Sequence, residues 1–230
     1  TNLLLNSDLL VTQSITTTAA AHALSFTGTG TVTLSGTFSG SLVGTGVNNV
    51  VSLIETRNII DHYHYWKHDA ILADLDDKRH NYSVLCTNLH NDFNIATVVR
   101  NANAFLAQEV IIYGKKQWDR RGAVGTHNYN RMTYFKEDEH GQLMDKIFDY
   151  HIVCVDNIEG SRDISTLDWP KEKHTLLVFG QEQVGVPEEF IEVADEIAYI
   201  PQYGTVRSLN VGTASGIAMH EYCRTNCPVV

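Results

Sequence analysis

The chain has 230 residues, 43% of them apolar, and a formal charge of −10 from 17 basic and 27 acidic side chains. That is enough for one sizeable core, and the acidic balance excludes broad, sequence-blind adhesion to nucleic acid, which depends on many Lys and Arg contacts to phosphate. No run approaches the roughly 18 apolar residues that cross a bilayer. The first basic residue is Arg57, so no signal peptide is indicated and a cytoplasmic protein is the default expectation.

Residues 1–56 are rich in Thr, Ser and Gly and contain only two charges, Asp8 and Glu55. Between Ser25 and Val47 small polar and apolar residues alternate, a period-two pattern that predicts short β-strands with glycine turns. The same composition suits a flexible or partner-dependent tail. Gly28-Thr29-Gly30 is followed by no third glycine and no helical pattern, so it is not a dinucleotide-binding fingerprint. Residues 57–80 turn helical, with Ile59, Ile60, Tyr63, Trp66, Ile71, Leu72 and Leu75 supplying the apolar positions of a helical extension.

From residue 81 to 230 strands and helices alternate. Strands are predicted at 82–87, 109–113, 132–135, 151–156, 175–179 and 196–200. Helices are predicted at 92–106, 138–150, from Pro187 to Ala194, and from Ser208 to about Arg224. The runs at 151–156 and 175–179 are continuously apolar, as expected of strands buried on both faces. Alternation of this kind implies an α/β domain, a parallel sheet flanked by helices. Ligands of such sheets lie beyond the carboxyl ends of the strands, which directs attention to the loops after Thr87, Phe179 and Ile200.

The four cysteines do not form a recognisable metal framework. Cys86 and Cys154 fall inside predicted strands and read as small buried hydrophobes. Cys223 and Cys227 have helical i,i+4 spacing with His220 three residues earlier, but no second pair completes a zinc set, so no metal is expected. A nucleophile elbow is also excluded, because Gly212-Thr213-Ala214-Ser215-Gly216 has the wrong spacing.

Three loops carry the informative residues. The first is NDFNIATVVRNANAF, with Asn94 and Arg100 on a helix opening. The second is LLVFGQEQVGV, a strand ending in Gly180-Gln181-Glu182 and then Gly185. The third is IPQYGTVRSLNVGTASGIAMHEY, a strand, a turn at Gly204, and Ser208-Leu209-Asn210 opening the last helix. In this order they resemble the three motifs of the SpoU/TrmH class of SPOUT RNA 2′-O-methyltransferases, over residues 82 to 222. Two positions depart mildly: Gln202 stands where the family has an apolar residue, and Gly212 where it has a small hydroxyl residue.

The resemblance implies a SPOUT fold with a C-terminal trefoil knot, S-adenosylmethionine as cofactor, and ribose 2′-O-methylation of a tRNA or rRNA. It implies that Gly180, Ile200 and Leu209 meet the adenosyl group, with Gly185 and Gly204 shaping the loops. It assigns Arg100 a central catalytic part, with Glu182, Asn94, Ser208 and Asn210 around it. Guanidinium stays protonated, so Arg100 suits gripping a phosphate or stabilising an alkoxide, with Glu182 orienting it or accepting the proton. Ser208 and Asn210 are expected to cap the last helix.

Lys115, Lys116, Arg120, Arg121 and His127 form a basic patch in the loop that faces RNA in the family, with Trp118 available for base stacking. The small residues of the last helix would serve the knot and a homodimer interface, or packing within one chain. A non-catalytic RNA-binding or assembly module that retains the fold is the alternative that the acidic charge and the tail favour. Base methylation by a related knotted enzyme is a further one.

Overall fold

The computed structural model describes residues 57–64, 66–87, 89, 91–114 and 117–227, together with the backbone of three short strands in the tail. The chain divides into two compact units, Thr1–Ala70 and Ile71–Val230. In the first, β1 (Leu4–Asn6), β2 (Ala23–Thr27) and β3 (Ser41–Thr45) form a parallel three-stranded sheet in that order. Two of these strands fall in or beside the alternating stretch of the sequence.

The helical signal of residues 57–80 condenses into α1 (His68–Asp76). Before it the chain is held differently. The Arg57 guanidinium donates to the carbonyls of His64 and Trp66, and a 3-10 turn at Asp61–Tyr63 brings the rings of Tyr63 and Trp66 edge to face. After α1, the side chain of Arg79 is fully buried. It donates to Asp76 at 2.6 Å and to the carbonyls of Ala107 and Tyr129.

The second unit follows the predicted alternation closely: β4 (His80–Thr87), α2 (Asp92–Ala104), β5 (Ala107–Tyr113), β6 (Met132–Phe135), α3 (His140–Ile147), β7 (His151–Val155), β8 (Arg162–Asp163), β9 (Thr175–Phe179), α4 (Glu188–Ile191), β10 (Glu196–Tyr199) and α5 (Val211–Asn226). The seven strands form one sheet in the order β6-β5-β4-β9-β7-β10-β8, every pairing parallel. The two-residue edge strand β8 gave no signal in the sequence, being too short for any periodicity.

Side-chain parity sorts the core into two layers. Tyr82, Val84 and Cys86 of β4, Val110 and Ile112 of β5, Val153 of β7, and Leu177 and Phe179 of β9 face α2 and α5. Leu85, Ile111, Tyr113, Ile152, Cys154, Leu176 and Val178 face α3 and α4. Cys86 and Cys154 are buried as expected, and burial pushes both thiols up to about 12. Among the described residues no helix is long and apolar enough to cross a membrane.

The small residues of α5 have a use within this chain. A β-carbon on Gly212 would stand 2.8 Å from the Thr97 side chain of α2. Asn101 of α2 donates to the Gly212 carbonyl at 2.8 Å and to Ser215 Oγ at 3.0 Å. Close α2–α5 packing accounts for Gly212 and Ser215, and this is the intrachain explanation left open by the sequence.

Candidate active site

Three strand ends converge on a cavity of about 370 Å³ beyond the carboxyl edge of the sheet. Its wall is formed by the ends of β7, β9 and β10 and by the loops that follow them, as a parallel sheet favours. Phe179, Ile200, Leu209 and Val211 give it an apolar lining; Asp156, Asn157, Glu182 and Ser208 give it polar groups.

The loop after β9 is tightly built. Gln181 and Gly185 exchange two backbone hydrogen bonds, at 3.0 and 2.8 Å, so residues 182–184 project as a short tip. Gly180 lies against the returning chain, and a β-carbon there would overlap the backbone of Gly185 and Val186. Gly185 has φ +78° and faces Asp156, whose carboxylate accepts from the Val186 N–H at 2.8 Å. Both glycines are therefore required by close approach, and Gly185 also by backbone conformation. Thr87, at the end of β4, anchors the strand end by donating to the Phe179 carbonyl.

A second network crosses the pocket rim. Asn94, buried in the first turn of α2, donates to Glu182 at 2.5 Å, and Asn210 donates to Asn94 Oδ1 at 2.8 Å. Asn210 is at the same time the N-cap of α5, accepting from the Thr213 N–H. All three motifs are thus joined by side-chain hydrogen bonds through Asn94. The loop before α5 is pinned where the Arg207 carbonyl accepts from Asn157 at 3.2 Å.

The expected residues distribute unevenly over this geometry. Gly180, Glu182, Gly185, Ile200, Ser208 and Leu209 line the cavity. Asn94 and Asn210 stand behind its rim and hold it. Gly204 is exposed and off the wall, with open space where a side chain would go. The helix cap is Asn210 rather than Ser208, because α5 begins only at Val211. The expected Glu182–Arg100 contact is not made among the described residues: Glu182 accepts from Asn94, and Arg100 stands exposed on α2, pairing with no acidic group among the described residues. Six residues separate Asn94 from Arg100, which turns them about 120° apart around the helix.

The basic patch is also rearranged. Lys115 and Lys116 lie outside the described residues. Arg121 is bound to Asp119, whose carboxyl the Arg121 hydrogen bonds hold down at about 2, and its guanidinium lies 6.0 Å from the centre of the Phe93 ring. Burial, with a contribution from the Arg120 charge, lowers the His127 imidazole, so it adds less positive charge to the patch than an ordinary histidine. Arg120 remains exposed. Trp118 is buried and reaches the Tyr134 hydroxyl, so it cannot stack on a base. The accessible ring here is Phe93, 52% exposed.

Asp156 and Asn157 were missed from the sequence. Asp156 ends, and Asn157 follows, the run 151–156 read as a parallel strand, so the strand-end rule that marked the other loops would have found them. Arg207, also on the wall, lies in the marked loop after Ile200 but was not singled out there.

A parallel α/β domain with a cavity walled by closely packed loops at the carboxyl strand ends belongs to the class of α/β folds that bind small ligands at that edge. The family model described as the SpoU rRNA Methylase family matches residues 81–220, more than half of the chain, and the chain belongs to that family. A tRNA (guanosine(18)-2′-O)-methyltransferase of Aquifex aeolicus is 30% identical over 151 residues, covering 64% of this chain and 71% of that protein. The 23S rRNA (adenosine(1067)-2′-O)-methyltransferase of Streptomyces laurentii is 41% identical over 68 residues, covering 30% of this chain and 25% of that one. Among solved structures, the A. aeolicus TrmH/SpoU tRNA modifying enzyme superimposes with a TM-score of 0.59 at 29% identity, over 68% of this chain and 83% of that chain. The AdoMet-bound rRNA methyltransferase from Sinorhizobium meliloti gives 0.57 at 26% identity, over 65% of this chain and 59% of that one.

Proposed function

We propose that the chain is an S-adenosylmethionine-dependent ribose 2′-O-methyltransferase acting on a tRNA or rRNA, with residues 81–230 as the catalytic domain. The observation that carries this reading is the cavity at the carboxyl strand ends, walled by Gly180, Glu182, Gly185, Ser208 and Leu209. The residues suit the cofactor. The apolar lining accommodates an adenine ring, and the glycine-packed loop lets backbone groups come within hydrogen-bonding reach of a ligand. When bound, S-adenosylmethionine supplies an electrophilic methyl group.

Catalysis then rests on alignment and on handling one proton. Glu182, held by Asn94, accepts the proton released as the ribose 2′-oxygen becomes a nucleophile. Arg100 remains a cation throughout and stabilises the developing alkoxide or the neighbouring phosphate. Because Arg100 faces away from Asn94 on α2, it completes a site in a homodimer more readily than in one protomer. The exposed Val184, Tyr203 and Val206 on the second and third motif loops are apolar surface suited to such an interface. Arg120 and the Phe93 ring offer the nucleic acid a cation and a stacking surface.

The family resemblance further implies that the C-terminal segments thread as a trefoil knot. The strand order is compatible with that threading: β9 lies between β4 and β7, both of which precede it in the chain.

Incubation with methyl-labelled donor and total RNA, followed by nucleoside mapping, tests the reaction. Label in a 2′-O-methylated nucleoside is the expected result. Label in a base overturns the ribose assignment. RNA binding without label identifies the non-catalytic module instead.

A further inference from the structure

At the opposite end of β4 from the pocket, three soft or borderline metal ligands meet. Seven residues of strand, roughly 23 Å, separate His80 from Thr87 at the pocket end. His80 opens β4, two residues before Tyr82, which packs toward α5. Cys223 lies in the last turns of α5, and Cys227 is its C-cap, in extended conformation. One ring nitrogen of His80 and the two sulfurs lie within 4.8 Å of one another, and all three residues are partly buried. The sequence offered His220 as companion to the cysteine pair. That residue instead turns outward, exposed beside the Phe105 ring, and the fold supplies His80 in its place.

We infer that His80, Cys223 and Cys227 form a binding site for a single zinc-class divalent ion. Tetrahedral zinc with sulfur and nitrogen ligands places its donor atoms about 3.3–3.8 Å apart. The three atoms therefore need to close by about 1.5 Å at most to reach that geometry. Both thiols release their protons to solvent on binding, and two thiolates neutralise the divalent charge. A neutral complex is tolerable in a half-buried position. Water takes the fourth position.

The hydrogen bonds around the site allow this change. Cys223 Sγ now donates to the Phe105 carbonyl at 3.6 Å, and the Tyr82 hydroxyl donates to the same carbonyl at 2.9 Å. When the thiol is deprotonated that carbonyl keeps Tyr82 as its partner, so no buried acceptor is orphaned. The His80 N–H bonds the Leu106 carbonyl, which fixes the backbone that carries the imidazole. The ion would clip the end of α5 to the start of β4, far from the transfer chemistry.

The test uses the full chain, reduced and stripped with chelator, titrated with cobalt(II) without oxygen and then with zinc. One equivalent of cobalt is expected to give thiolate charge-transfer absorption with tetrahedral d–d bands, displaced by zinc, and zinc is expected to raise Tm by several degrees. Cys223→Ser with Cys227→Ser should abolish the spectrum and the Tm rise, and His80→Gln should weaken both, with circular dichroism confirming that each variant folds. No saturable charge-transfer band, or a band that survives the double substitution in folded protein, overturns the site. So does formation of a Cys223–Cys227 disulfide at a rate that zinc leaves unchanged.

Discussion

The pocket loops and the surface of α2 are built on opposite plans. Around the cavity almost every important group is locked by another: Gly180 against Gly185, Asp156 on the Val186 N–H, Glu182 on Asn94, and Asn94 on Asn210. On α2 and the loop beside it, Arg100 and Arg120 extend into solvent. On the proposed reading, the difference teaches that the small ligand meets a preformed site, whereas the macromolecular substrate meets exposed cations whose partners arrive with it. Preorganised donors gain from rigidity, while long cationic side chains lose rotamer freedom only on binding.

The sharpest way to break this contrast is to remove the close approach. Gly180→Ala places a methyl group in the Gly185–Val186 backbone, and a cost of about 3 kcal/mol or more is expected, with loss of donor binding by calorimetry and a large fall in Tm. Arg100→Ala is the opposite case. A roughly 10²–10³-fold loss of kcat is expected, with donor affinity unaltered and stability changed by less than about 0.5 kcal/mol. If Arg100→Ala also lowers Tm strongly, the side chain is structural and the contrast fails.

Asn94→Ala lies between the two. It removes the Asn94 links to Asn210 and to Glu182, so a stability loss of about 1–3 kcal/mol should accompany a fall in both kcat and donor affinity. An unchanged Tm would show that the rim is looser than these hydrogen bonds indicate.

The smallest effect concerns pH and lies away from both regions. Burial pushes the His174 imidazole below its ordinary 6.5, and its two nitrogens lie 2.8 Å from Ser83 Oγ and Asn81 Oδ1. The unfolded chain binds that proton more readily than the folded one, so the contribution is intact above pH 6.5 and lost as pH falls below it. The urea midpoint should fall between pH 7.5 and 5.5, and His174→Gln should flatten that fall. His151 and His127, lowered by burial in the same sense, keep it from vanishing.

Much of the catalytic unit was legible without coordinates because periodicity and strand-end loops are local signals. The runs at 151–156 and 175–179 announced buried strands, and Gly180 and Leu209 were placed by the motifs beside them. Other assignments failed for reasons that are not local. Trp118 reads as a surface aromatic until the loop folds over the core, and Ser208 reads as a cap until the helix is seen to begin three residues later. Glu182 and Arg100 looked like a pair because opposite charges in neighbouring motifs suggest one. Helix rotation separates them.

By itself the sequence determined the alternation of strands and helices, the parallel sheet and the three motif loops, since each depends on residues near in the chain and on the period of the backbone. Only the tertiary structure decided which side chains share a partner. Asn94 between Glu182 and Asn210, and His80 beside Cys223 and Cys227, are meetings of residues far apart in sequence. The strand order and the packing of α5 set those distances, and no local pattern encodes them.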